Sequence, residues 1–168
     1  MAAHPSSAAA VDAFIGLGSN LGDRGAEIDG AFAEIAALPR TSLVARSSRY
    51  ASAPVDASGG EYLNAVAHVK TSLAPLELLR ALQAIEAGHG RLRPFPGAPR
   101  TLDLDLLLHG DHVVASDELS VPHPRLHERA FVLAPLLEIA PQLVVPGRGA
   151  VAALSASVAE QAVAKLDR

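Results

Sequence analysis

The strict alternation of leucine and aspartate from Leu102 to Leu106 is the feature that most constrains how this chain folds. Successive side chains of a β-strand point to opposite faces, so the pattern predicts a strand with leucines on one face and Asp103 and Asp105 on the other. The leucines can pack against a core while the carboxylates stay in water. We therefore expect this segment to be a strand of a sheet that is buried on its leucine face.

The rest of the chain alternates between strand-like and helical patterns. Short apolar or alternating segments predict strands, and apolar residues spaced near the helical period predict helices. The predicted strands are 11–17, 42–52, 62–71, 101–108 and 112–115, and the predicted helices are 28–38, 75–87, parts of 128–139, and 151–166. This order predicts an α+β fold, a ferredoxin-like sandwich in which helices flank a mostly antiparallel sheet.

Three local expectations accompany these elements. Residues 112–115 are expected to form a hairpin with 101–108, across a turn at Gly110 and Asp111. Gly88 is expected to end the helix that begins at Pro75. Pro135 is expected to divide the helical region 128–139, because proline lacks the N–H that a helix interior requires.

Composition limits the class of protein. The chain has 168 residues, of which 49% are hydrophobic and 19% charged, so we expect one domain over 11–168 after a disordered tail at 1–10. The net charge of -4 argues against binding to nucleic acid through its phosphates. The chain has no cysteine, which excludes thiolate metal sites and thiol nucleophiles. With neither a signal peptide nor a membrane span recognisable, we expect a cytoplasmic protein that does not bind membranes. As a separate expectation, the chain is a monomer.

Asp103 and Asp105 are candidate metal ligands. Carboxylates two residues apart along a strand lie about 7 Å apart, which allows them to hold one or two hard cations such as Mg²⁺. Taken alone, the spacing favours two solvated acids, because alternating Asp and Leu is common on amphipathic strands. Directly before them, Arg91, Arg93 and Arg100 lie in a loop rich in proline, which is either a charged surface loop or a phosphate-binding segment. Acids and arginines together favour a magnesium-complexed phosphate chain, bound without a Walker-type loop.

Each of the other polar candidates has a structural and a ligand-binding interpretation. His123 lies between Pro122 and Pro124, so its ring is either structural or held to donate a hydrogen bond to a phosphate. Arg129 is a phosphate contact or a surface ion pair. Tyr62 and Asn64 share a strand face, which suits a heterocyclic ligand but also an ordinary sheet position.

Four motifs occur in order along the chain: GSNLGD at 18–23, YLNA at 62–65, RTLDLD at 100–105, and VPHPR at 121–125 with ERAFVL at 128–133. Together they resemble the 6-hydroxymethyl-7,8-dihydropterin pyrophosphokinase family of folate biosynthesis, from about Ala13 to Pro146. The resemblance implies transfer of diphosphate from ATP to the hydroxymethyl oxygen of a reduced pterin, with attack on the β-phosphorus, two Mg²⁺ ions and release of AMP.

The resemblance also implies roles for individual residues. Asp103 and Asp105 match the metal ligands, and Arg91 and Arg100 match the arginines that assist the transfer. The implied nucleotide contacts are Gln83, Arg93, His123 and Arg129. The implied pterin contacts are Ser52, Ala53, Val55, Tyr62, Asn64 and Phe131.

The cationic loop departs from the family pattern. Many members carry a tryptophan there that closes over the pterin, and this chain has no tryptophan. Phe95 lies at a different offset, and Pro94 and Pro96 predict a stiffer lid. The alternatives to the family reading are another magnesium-dependent enzyme, such as a nucleotidyl transferase or phosphohydrolase, and a non-catalytic ligand-binding module.

Overall fold

A computed structural model describes residues 9–19, 24–52, 62–90 and 102–166. Its strands are β1 Val11–Ser19, β2 Thr41–Arg46, β3 Arg49–Ser52, β4 Tyr62–Thr71, β5 Asp103–His109, β6 Val114–Ala115, β7 Ser120–Val121, β8 Val144–Val145, β9 Gly149–Ala150 and β10 Val163–Leu166. Its helices are α1 Arg24–Ala36, α2 Pro75–Gly90, α3 Ala130–Ile139 and α4 Val151–Ser157, and a 3₁₀ turn spans Leu126–Glu128.

A six-stranded sheet organises these elements. Its strand order is β10-β3-β4-β1-β5, and β2 also pairs with β4. Each pairing in this sheet, within the described ranges, is antiparallel. The arrangement confirms the predicted α+β sandwich with a mostly antiparallel sheet flanked by helices.

The strand period separates two cores, one on each face of the sheet. Ile15 and Leu17 of β1 pack with α1 and α2, together with Leu102, Leu104 and Leu106. Phe14, Val66 and Leu108 pack on the other face with α3 and α4. The prediction that the three leucines share a buried face is therefore confirmed. The regular alternation continues through Leu107, which lies on the face of Asp103 and Asp105 and packs in the second core. It ends at Leu108, because the register between β1 and β5 shifts there and a β-bulge places this leucine in the second core as well.

The predicted strand 42–52 is two strands, because the chain bends at Ser47 and Ser48. The N–H of Ser47 donates to the carbonyl of Val66, and the N–H of Val66 donates to Oγ of Ser47, at 2.9 Å in both cases. This exchange holds the bend against β4. The predicted strands at 11–17 and 62–71 are confirmed, with β1 reaching Ser19.

The expectations for Gly88 and Pro135 were wrong. α2 continues through Gly88 to Gly90, since an exposed glycine within a helix costs only about 1 kcal/mol. Pro135 lies inside the uninterrupted α3. Removing one helical hydrogen bond is tolerated there because Val132, Leu133 and Leu136 bury the helix against the sheet.

The predicted hairpin partner of β5 was also wrong. β6 pairs with β7 instead, because the segment after β7 occupies the outer edge of β5, where the N–H of His123 donates to the carbonyl of Leu107 at 2.9 Å. The predicted helix 151–166 was wrong in its second half. α4 ends at Ser157, and Val163–Leu166 form β10, which pairs with β3. Pairing with a distant strand overrides the helical preference of the alanine-rich sequence.

Within the described ranges, the structure has no helix long and apolar enough to cross a bilayer. Residues 1–8 of the expected N-terminal tail lie outside those ranges, and the single domain over 11–168 remains a prediction.

Candidate active site

A cavity of about 260 Å³ lies on the α3 side of the sheet, above β1, β4 and the start of β5. It gathers seven of the predicted site residues: Ser52, Tyr62, Asn64, Asp103, Asp105, Arg129 and Phe131. The carboxylates lie on the edge strand, the amide on β4, and the arginine and the ring at the start of α3. Residues that are distant in sequence thus meet because β1 pairs with both β4 and β5.

Two glycines of β1, which the sequence analysis did not select as site residues, form the floor of this cleft. Gly18 lies in register with Asn64 on one side and Asp103 on the other, and Gly16 lies opposite Asp105. A Cβ built on Gly18 would lie 3.5 Å from Oδ1 of Asn64 and would occupy the cleft. Glycine inside a strand often marks the close approach of a ligand, and this signal could have identified both positions.

Asp103 and Asp105 are half-buried and both face the cleft, while Leu104 between them is 5% exposed in the first core. The N–H of Leu104 points away from β1 and donates to Oε2 of Glu86 at 2.7 Å. β5 is the edge strand of the sheet within the described residues, so the α2 carboxylate satisfies an amide that no other strand of the described sheet reaches.

The donor set fits Mg²⁺. Two carboxylates supply hard oxygen ligands, and in the part of the chain that the structure describes no cluster of three or more His, Asp or Glu side chains is positioned to hold a metal. Mg²⁺ in phosphate-transfer sites is commonly held by one or two carboxylates, with phosphate and water completing its shell. Asp103 and Asp105 thus fit the protein's share of the Mg²⁺ ligands, with substrate phosphate and water as the remaining ligands.

Asn64 is fixed within the wall of the cleft. It is 4% exposed, and its Nδ2 donates to Oγ of Ser52 at 2.8 Å. This bond orients the amide so that Oδ1 faces the bare backbone at Gly18. An immobilised amide of this kind can read the hydrogen-bonding edge of a flat heterocycle.

Arg129 and Phe131 line the opposite wall. Arg129 immediately precedes α3, and its guanidinium carbon lies 5.5 Å from the centre of the Phe131 ring. The ring presents an apolar surface to the cleft, and the arginine adds a positive charge beside the two aspartates.

His123 lies near Asp105 and Arg129. Burial lowers the pKa of its imidazole, Asp105 raises it, and Arg129 and Arg125 lower it, with a net decrease. The N–H of Arg125 donates to Nδ1 of His123 at 3.1 Å, so the neutral ring carries its proton on Nε2. His123 therefore presents a hydrogen-bond donor at neutral pH.

The remaining predicted residues are not in this cleft. Gln83 is exposed on α2, which packs on the opposite face of the sheet from α3. Ala53, Val55, Arg91, Arg93 and Arg100 lie outside the described residues. The same holds for Pro94, Phe95 and Pro96, on which the hypothesis of a stiffer lid rests.

In this antiparallel α+β sandwich, one cleft joins two strand carboxylates to an arginine, and a neutral histidine lies near Asp105 and Arg129 outside the cavity lining. Such a site is typical of a metal-dependent enzyme that acts on phosphate groups. Residues 14–141 match the family described as 7,8-dihydro-6-hydroxymethylpterin-pyrophosphokinase (HPPK). This chain belongs to that family.

Individual relatives agree with the family match. The chain is 40% identical over 158 residues to the 2-amino-4-hydroxy-6-hydroxymethyldihydropteridine pyrophosphokinase of Haemophilus influenzae, covering 94% of this chain and 99% of the relative. It is 46% identical over 134 residues to the protein of the same name from Pseudomonas aeruginosa, covering 79% and 83%.

A solved structure shares the fold. The crystal structure of the Plasmodium falciparum HPPK-DHPS protein superposes with a TM-score of 0.73 at 12% identity, over 93% of this chain. The chain spans about half of that protein, 47% of its length.

Proposed function

We propose that this chain transfers a diphosphate group from ATP to the hydroxymethyl oxygen of 6-hydroxymethyl-7,8-dihydropterin and releases AMP, a step of folate biosynthesis. The observation that carries the proposal is a single cleft that contains both Asp103 and Asp105 for a metal-bound phosphate chain and Asn64 and Phe131 for a flat heterocycle. Membership of the family and the names of its relatives support the same reaction.

On the pterin side, Asn64 offers both a donor and an acceptor, and Ser52 keeps its amide in place. Tyr62 and Phe131 supply flat apolar surfaces for the ring system. Because Gly18 has no side chain, the floor of the cleft beneath the ring system is open. We assign Ala53 and Val55 to the same subsite by resemblance to the family.

On the phosphate side, Asp103 and Asp105 would hold two Mg²⁺ ions, which when bound neutralise charge on the phosphate oxygens and orient the chain. Arg129 and the Nε2 proton of His123 would contact phosphate oxygens. By resemblance we assign Gln83 and Arg93 to the nucleotide, and Arg91 and Arg100 to the transfer itself.

The reaction forms one phosphorus–oxygen bond and breaks another, and the attacking hydroxyl loses its proton. The hydroxymethyl oxygen attacks the β-phosphorus, the bond from this phosphorus to the oxygen bridging to the α-phosphorus breaks, and AMP leaves with that oxygen. The hydroxyl proton passes to solvent. The side chains act by positioning and charge stabilisation, so the reaction needs no covalent intermediate with the protein.

The assay combines the protein with ATP, Mg²⁺ and the reduced hydroxymethyl pterin, and follows products by chromatography and phosphorus NMR. We expect AMP and pterin diphosphate in equal amounts, with negligible ATP consumption in the absence of the pterin. Inorganic phosphate released without pterin would indicate a phosphohydrolase instead, and no turnover would favour a binding module. We propose that a monomer is active, because one chain builds the whole described cleft.

A further inference from the structure

Gln161 links the C-terminal segment to the backbone on both sides of Arg129. Its Oε1 accepts a hydrogen bond from the N–H of Ala130 at 2.9 Å, and its Nε2 donates to the carbonyl of Glu128 at 2.8 Å. Gln161 lies between α4 and β10, beyond the residues 14–141 that match the family. One side chain thus spans both peptide groups that flank the cleft arginine.

The backbone at Arg129 needs such support. Arg129 has φ −122° and ψ 108°, an extended conformation between the 3₁₀ turn and α3. The first N–H groups of a helix have no partner within the helix, and in the described structure the Arg129 side chain does not cap it. Gln161 supplies the missing acceptor at Ala130 and restrains the preceding carbonyl, which restricts the direction of the Cα–Cβ bond of Arg129.

The chain around Gln161 is itself anchored. Its own N–H donates to the carbonyl of Val158 at 3.0 Å, and Val158 is 7% exposed in the second core. Two residues further on, Val163 begins β10 in register with Ser52. The glutamine therefore extends from a segment fixed to the core on one side and to the sheet on the other.

We propose that Gln161 is a positioning residue for Arg129, through which the C-terminal segment sets the affinity for the nucleotide. The inference rests on the proposed function, in which Arg129 contacts phosphate. The N–H of Arg129 also donates to the carbonyl of Leu126, and its carbonyl accepts from Val132 and Leu133, so Gln161 adds to restraints that are already present. Without the clamp, the long arginine side chain starts from a less restrained backbone and loses more conformational entropy on binding.

The test compares Gln161→Ala, Arg129→Ala and the double variant, with ATP-analogue binding measured by calorimetry and turnover measured separately. We expect Gln161→Ala to weaken nucleotide binding about fivefold, the scale of one net hydrogen bond, with kcat and the KM for pterin nearly unchanged. In the Arg129→Ala background, Gln161→Ala should add no further loss. Gln142→Ala, an exposed glutamine before β8, is the matched control and should match the wild type.

Thermal unfolding and circular dichroism are to check that each variant is folded, and Gln161→Met repeats the test at nearly constant side-chain length. A lowered Tm with unchanged nucleotide affinity would overturn the inference, as would an equal fivefold loss in both backgrounds. If Arg129→Ala itself left nucleotide binding unchanged, the nucleotide role of Arg129 would be wrong as well. The two failures are therefore distinguishable.

Discussion

The carboxylate of Glu86 accepts a hydrogen bond from the backbone N–H of Leu104, with Oε2 and N separated by 2.7 Å. Leu104 is the residue between Asp103 and Asp105, and its side chain is buried beneath the strand. A helix side chain therefore fixes the edge-strand backbone that carries the carboxylate pair. Groups that orient metal ligands commonly affect metal affinity without contacting the metal.

Glu86→Ala should raise the Mg²⁺ concentration for half-maximal activity about tenfold, because the β5 backbone loses its outer support. Titration of activity against Mg²⁺ measures this shift. Amide exchange of Leu104 in the metal-free protein should accelerate in the same variant. Glu77→Ala is the matched control, since Glu77 lies on the same helix and accepts from the N–H of Ala74 at 2.8 Å. Equal Mg²⁺ dependence in both variants would contradict the prediction.

Asp103→Asn and Asp105→Asn should each reduce kcat by about 100-fold or more, because each removes a charge that would hold the metal against the phosphate chain. The variants should remain folded, since both side chains face the cleft rather than the core. Steady-state kinetics at saturating Mg²⁺ measures the effect. Asp111→Asn, at an exposed turn after β5, should behave as the wild type. Near-normal turnover in both cleft variants would refute the metal assignment.

Gly18→Ala should weaken the binding of the pterin without lowering the unfolding free energy of the protein. The added methyl group would lie 3.5 Å from Oδ1 of Asn64, within the cleft, so the KM for pterin should rise about tenfold. The unfolding free energy should stay the same or increase by about 0.5–1 kcal/mol, because alanine restricts the unfolded chain. Gly88→Ala, where a Cβ would meet none of the described residues within 4 Å, should stabilise the protein without changing KM. An unaltered KM in Gly18→Ala would place the pterin elsewhere.

The interactions of the His89 ring predict that the unfolding free energy of the protein depends on pH. Its Nδ1 lies 2.6 Å from Glu27 and its Nε2 lies 2.9 Å from Glu34, which joins the end of α2 to α1. Burial lowers the pKa of His89, but the bonds and charges of the two glutamates outweigh burial and raise it. The stabilisation should be complete below the unfolded-state pKa of about 6.5 and should disappear as pH rises through the higher folded-state value.

Urea unfolding of the wild type and of His89→Gln across pH 5.5 to 9.5 measures this contribution. The difference in unfolding free energy between the two proteins should be largest at the acidic end and should shrink as pH increases. A difference that grows with pH would show that the ring is neutral in the folded protein.

Patterns of local sequence predicted much of this structure. The leucine and aspartate alternation placed three leucines in one core and two carboxylates in one cleft, as the strand period requires. The four ordered motifs indicated the family. Tyr62 and Asn64 were predicted to share a face, and both line the cleft.

Other features depended on partners that are distant in the chain. Residues 163–166 continue an alanine-rich helical pattern, yet they form β10 because β3 offers an open edge. The pairing of β6 with β7 arises because the chain around His123 already occupies β5. Neither the pairing of β10 with β3 nor the contact of the His123 segment with β5 can be predicted from the residues that form it. Strands pair through backbone hydrogen bonds, and these depend only weakly on the side chains of the segment.

The sequence by itself determined the alternation that aligns Asp103 with Asp105, since this depends only on the two-residue period of a strand. Tertiary structure alone decided what supports them and their neighbours: Glu86 at the amide of Leu104, and Gln161 around Arg129. In each case a polar side chain satisfies a backbone group left open at the edge of a sheet or at the start of a helix. Such groups become neighbours only when the chain has folded.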